Sequence, residues 1–85
     1  MANVVLYGTK FCPYCIAARR LLKSKKVDFK DISVDANPKL RAEVKQRSGQ
    51  RTVPQIWVGD THVGGFDDLQ RMDQQGNLDK LLASA

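Results

Sequence analysis

Val4-Val5-Leu6-Tyr7-Gly8-Thr9-Lys10-Phe11-Cys12-Pro13-Tyr14-Cys15-Ile16 passes from a strand pattern to a helix pattern, and both cysteines of the chain lie at the change. Val4 to Tyr7 is an apolar run rich in β-branched residues, suited to a buried strand, whereas Ile16-Ala-Ala-Arg-Arg-Leu-Leu-Lys reads as a helix. Pro13 fits the first helical position, because its fixed φ suits a helix and its missing N–H has no intrahelical partner there. Cys12 then falls at the helix cap, where free backbone N–H groups and the positive end of the helix dipole favour a thiolate. Cys15 lies one turn inward, close enough to attack a mixed disulfide formed on Cys12. The expected division of labour is that Cys12 attacks and Cys15 resolves.

Three other uses of two cysteines fit less well. A structural disulfide calls for an oxidising compartment, yet Met1-Ala2-Asn3 leads into no apolar signal segment, and so short a loop gains little from closure. A structural zinc site asks for four ligands, and His62 is the only other soft candidate. Two small buried hydrophobes would need neither the intervening proline nor the junction. Thiol redox chemistry accounts for all of it.

Working outward, Val27 to Asp35 is expected to be a second strand, although Val27 and Phe29 are out of phase with Ile32 and Val34; a bulge or a late strand start would explain the slip. Asn37-Pro38 opens a second helix, with Leu40 and Val44 on its buried stripe and an end near Ser48-Gly49. Ile56-Trp57-Val58, the turn Gly59-Asp60 and Thr61-His62-Val63-Gly64 read as an antiparallel hairpin. Asp67-Asp68 is expected to open a third helix that directs Leu69 and Met72 inward and ends at Gly76, before a short turn carrying Leu78, Leu81 and Leu82. The order βαβαββα implies an α/β fold: a four-stranded mixed sheet, helices on both faces, and a site beyond the carboxyl ends of the parallel strands, where the cysteines fall.

With 85 residues the chain has room for a single domain, 1–85, and no apolar run approaches the eighteen or so residues that span a membrane. The 14 Lys and Arg against 9 Asp and Glu give a net charge of +5, but these cations are scattered and aromatic residues are few, which argues against nucleic acid. The field suits small anions or acidic protein partners. A cytoplasmic, reducing location and a monomer are the expectations.

Three motifs, Cys12-Pro13-Tyr14-Cys15, Thr52-Val53-Pro54 and Gly64-Gly65-Phe66-Asp67-Asp68, appear in an order and spacing that resemble the glutaredoxins, in particular their small bacterial dithiol members of the glutaredoxin 3 type. The resemblance spans essentially the whole chain. It implies a thioredoxin fold and glutathione-dependent reduction of protein disulfides and glutathione mixed disulfides through Cys12 and Cys15, with glutathione as the reductant and no metal. Disulfide-bonded or glutathionylated proteins would be the partners. In the family the proline of Thr52-Val53-Pro54 is cis, which would present the Val53 backbone to an extended ligand. By the same resemblance the Gly65, Phe66 and Asp67 segment would hold the γ-glutamyl carboxylate and ammonium, Tyr14 would flank the ligand, and Lys10 and Arg41 would meet the glycyl carboxylate, with Arg51 assisting. No role falls to His62. One departure stands out: many relatives carry a further cysteine where this chain has Phe66, so that thiol and its oxidation chemistry are missing here. Two rival readings follow from the family: a dimer bridging a glutathione-ligated iron–sulfur cluster through Cys12, which the rigid Pro13 disfavours, and a thioredoxin-like reductase served by a flavoprotein.

Overall fold

The computed structural model describes residues 3–84. Its elements run β1 (Val4–Gly8), α1 (Pro13–Ser24), β2 (Phe29–Ser33), α2 (Pro38–Ser48), β3 (Gln55–Val58), β4 (Thr61–Gly64), α3 (Phe66–Gln74) and α4 (Asn77–Ser84). The strands form one sheet in the order β2-β1-β3-β4, with β1 parallel to β2 and antiparallel to β3, and β3 antiparallel to β4. This is the mixed four-stranded sheet of the thioredoxin fold.

Alternation along the strands builds two separate cores. Val4 and Leu6 of β1 and Ile56 and Val58 of β3 point to one face, where they meet Ala18 and Leu22 of α1, Leu69 of α3 and Leu78 and Leu82 of α4. Trp57 points to the other face and packs with Val34, Val44 of α2 and the partly buried Tyr7, Leu40 and Val53. Helices therefore cover both faces, and every residue of β3 is buried.

The two faces also explain the phase slip of the second strand. Phe29 pairs with Val4 and joins the first core, while Ile32 pairs with Tyr7, which faces the second. Pairing from Phe29 to Ser33 is regular, so no bulge is needed and the strand simply starts late. The irregularity lies instead in the hairpin, where Ile56 pairs with Gly64 and Trp57 with His62, leaving Val63 as the extra residue.

Two further expectations are corrected. The third helix starts at Phe66 with Gly65 as its N-cap, one residue before Asp67, because the Asp68 carboxylate accepts from the Gly65 N–H at 3.2 Å and fixes the entry there. The segment after Gly76 is a helix, α4, rather than a short turn: Leu78 and Leu82, four residues apart, bury one stripe against the first core. Lys25, at the end of α1, binds Asp73 of α3 and, at 3.1 Å, Asp79 of α4, tying the three helices together. Leu69 is fully buried at the centre of this layer. Leu69→Ala is expected to cost about 2–5 kcal/mol of stability in a denaturant titration.

Candidate active site

The loop between β1 and α1 carries Cys12, the sulfur expected to attack. Pro13 is the first residue of α1 and Cys12 its N-cap, with extended backbone and no side-chain capping bond, so the Cys12 sulfur is free for other work. The loop is anchored from both sides. The Arg19 guanidinium bridges the Asp31 carboxylate at 2.8 Å and donates to the Thr9 carbonyl at 2.9 Å. Asp35, itself held by the Ser33 hydroxyl at 3.2 Å, accepts from the Lys10 N–H at 2.9 Å.

The two sulfurs live in different surroundings. Cys12 is half-buried, whereas Cys15 is fully buried, with its Sγ 3.5 Å from the Thr9 N–H. Partial burial pushes the Cys12 thiol up, yet hydrogen bonds with the backbone and thiol of Cys15, the Tyr14 backbone and the Thr9 side chain outweigh it and hold Cys12 below the ordinary thiol value. Burial pushes Cys15 the other way; the Cys12 sulfur adds to the rise, and the Thr9 backbone opposes it only in part. Iodoacetamide should therefore label Cys12 and spare Cys15. The Cys12 rate should rise with pH to a plateau whose midpoint lies below the free-cysteine value of about 8.5, falling off only as pH drops through that lowered pKa. A midpoint at or above that value would contradict the assigned nucleophile.

A groove of about 380 Å³ runs past Tyr14 to the amino terminus of α3. One wall is Thr52-Val53-Pro54, with a cis bond between Val53 and Pro54 and the Val53 carbonyl oxygen 4.0 Å from Cys12 Sγ. The opposite wall is Gly65, Phe66 and Asp67, brought so near that a Cβ on Gly65 would stand 3.4 Å from the Pro54 carbonyl oxygen. The Tyr14 and Phe66 rings close one side, their centroids 6.5 Å apart. Free N–H groups at the start of α3 and its dipole favour an anionic group at this end.

Seven residues expected from sequence thus line one groove: Tyr14, Thr52, Val53, Pro54, Gly65, Phe66 and Asp67. Lys10 does not line it; it borders a shallow cavity with Arg19, Asp31 and Ser33, and its Nζ lies 5.9 Å from the Phe11 ring centroid. Arg41 and Arg51 are exposed and outside the lining. Gln50, which no motif included, and Asp68, expected only as part of the opening of α3, also line the groove. Asp68 was legible as the third residue after the Gly65 cap, the position from which an acidic side chain reaches back; Gln50 left no local signal.

Comparison with known proteins agrees with this geometry. The family model described as Glutaredoxin matches residues 4–63. Among curated relatives, the chain is 54% identical over 84 residues to a glutaredoxin of Pseudomonas aeruginosa, covering 99% of this chain and 100% of that one. It is 49% identical over 82 residues to glutaredoxin 3 of Escherichia coli, covering 96% and 99%. Among solved structures it is similar to a glutaredoxin from Brucella melitensis, at a TM-score of 0.87 and 48% identity over 96% of this chain and 89% of that one. It also superposes on a buckwheat glutaredoxin–glutathione complex, at a TM-score of 0.91 and 27% identity over 96% and 77%. Fold, dithiol, groove and sequence converge, and the chain belongs to the glutaredoxin family.

Proposed function

We propose that this chain reduces glutathione mixed disulfides and protein disulfides through Cys12 and Cys15, with glutathione as the electron donor. Glutaredoxins are glutathione-dependent thiol oxidoreductases, and the observation that carries the finer reading is the placement of Cys12. Its thiol, held below the ordinary value, lies 4.0 Å from the carbonyl oxygen of Val53, part of the backbone wall of a groove whose other wall is the amino terminus of α3.

In the first step the Cys12 thiolate attacks one sulfur of the substrate disulfide. A new S–S bond forms at Cys12, the old one breaks, and the departing thiolate takes a proton from solvent. With a glutathionylated protein the attacked sulfur is that of glutathione, which stays on Cys12 until a second glutathione thiolate displaces it as glutathione disulfide. With a protein disulfide, Cys15 attacks the mixed disulfide, releases the protein as a dithiol and leaves a Cys12–Cys15 bond. Two glutathione molecules then reduce that bond. The raised Cys15 pKa keeps it a thiol until it is called on.

The glutathione peptide would pair with the Val53 backbone, its γ-glutamyl carboxylate would meet the N–H groups of Phe66 and Asp67, and the Asp67 carboxylate would take the ammonium. Tyr14 and Phe66 would flank the ligand. Lys10 and Arg41 approach its glycyl carboxylate only as long side chains reaching in from outside the groove wall. The protein works as a monomer in a reducing, cytoplasmic setting.

The test couples turnover of a small glutathione mixed disulfide to glutathione reductase and, separately, to thioredoxin reductase. Robust NADPH consumption with glutathione reductase and little with thioredoxin reductase is the expected result. The reverse would overturn the reading, as would a brown, dimeric protein from anaerobic purification, which would place cluster binding first.

A further inference from the structure

The α2-facing side of the sheet holds a polar chain that the thiol chemistry does not use. Gln55 is the one fully buried polar residue among the described residues. Its Nε2 lies 3.0 Å from the Thr52 carbonyl oxygen, 3.0 Å from Gln50 Oε1 and 3.4 Å from Thr52 Oγ1, and its Oε1 lies 2.8 Å from His62 Nε2. A carbonyl oxygen can only accept, so the Gln55 nitrogen must face Thr52 and the amide has a single orientation. Its oxygen then faces His62, and the proton of that contact belongs on His62 Nε2.

The chain runs outward from there. His62 packs on Trp57 with ring centroids 4.6 Å apart and planes tilted by 33°, so the histidine is held by more than its one hydrogen bond. At the other end Gln50 lines the groove. Since Gln55 engages its Oε1, what Gln50 has left for a ligand is its amide NH₂, a donor. Thr52, tied through its carbonyl, is the start of the wall that carries the Val53 backbone.

We propose that His62 and Gln55 are positioning residues for the glutathione groove, orienting Gln50 so that its amide donates to an acceptor oxygen of the bound tripeptide and bracing the Thr52–Val53 wall. The inference rests on the glutathione reading above. It gives Gln50 a place in ligand recognition and His62 a role at a distance, through Gln55.

The test uses the full chain with four variants: His62→Phe, which keeps a ring on Trp57 but removes the donor; His62→Gln, which restores one; Gln50→Ala, at an exposed position; and the double variant His62→Phe with Gln50→Ala. His62→Phe and Gln50→Ala should each raise the KM for glutathione about five- to tenfold, the factor expected for one ordinary hydrogen bond, with kcat changed less than about twofold. The double variant should be no worse than the worse single one, because both break the same chain. His62→Gln should recover most of the wild-type KM. An unchanged KM in His62→Phe or in Gln50→Ala, or multiplicative losses in the double variant, overturns the inference, as does a fall in Tm with kcat and KM both kept. A wild-type protein that does not use glutathione defeats the broader reading; one that does, beside an unaltered KM in His62→Phe, defeats only this one.

Discussion

Cys12→Ser is expected to lower turnover of both glutathione mixed disulfides and protein disulfides by on the order of a thousandfold or more, since loss of a covalent nucleophile removes the step on which all others depend. The half-buried Cys12 sulfur lies 4.0 Å from the carbonyl oxygen of the groove-lining Val53, while the Cys15 sulfur is wholly buried and its pKa raised. A buried thiol of that kind cannot substitute, and a serine hydroxyl at position 12 is no nucleophile at neutral pH. Cys15→Ser should separate the two routes. It should leave mixed-disulfide turnover within a few-fold of wild type, because a second glutathione can resolve Cys12, and abolish catalytic reduction of protein disulfides that require the dithiol. If Cys15→Ser instead silenced both assays, the assignment of attacker and resolver would fall.

Gly64→Ala should be the most damaging small substitution for the fold and the groove together. Gly64 has φ of 115°, and a Cβ built there would stand 2.9 Å from Asp68 Cγ. Asp68 is the residue whose carboxylate accepts from the Gly65 N–H and opens α3, so the new methyl group displaces the cap that forms one end of the groove. Backbone strain and overpacking together cost about 2–4 kcal/mol, on the order of 10 °C in Tm for a domain of this size. Gly59→Ala supplies the control, because Gly59 also has positive φ, 59°, but a Cβ there meets nothing within 4 Å. It should lose about 1 kcal/mol and keep wild-type glutathione affinity, so the excess at Gly64 measures the displaced Asp68. Equal losses in the two variants would refute that account.

The fold was legible where local chemistry and topology agree. The apolar run of β1, Pro13 after Cys12, and Asn37 accepting from the Leu40 N–H at 3.2 Å ahead of Pro38 are all local signals, and each element forms where its residues say. The β2 phase slip has one of its two expected causes, a late start at Phe29, and its apolar residues divide between the two covered faces of the sheet. The start of α3 was misplaced by one residue because the cap there is a glycine with no side-chain signal of its own, and the acid that secures it lies three residues on. Around the groove, Tyr14, Val53 and Phe66 announced themselves through motifs. Gln50, Gln55 and His62 did not: their hydrogen bonds join residues on a loop, a strand and its hairpin partner, and only the register of β3 with β4 brings them together. Lys10 and Arg41 were assigned by family position, and their side chains stand outside the groove lining.

Phe66, standing where many relatives have a further cysteine, leaves this protein with sulfur nucleophiles at one address only. The thiol–disulfide states of its cycle are therefore few and can be enumerated: the dithiol, the internal disulfide, and a mixed disulfide whose partner sits on Cys12, the half-exposed sulfur. Each differs from the others in intact mass. A single mass spectrum of acid-quenched protein thus reads the occupancy of every intermediate in the cycle at once, with no need to map which cysteine was modified.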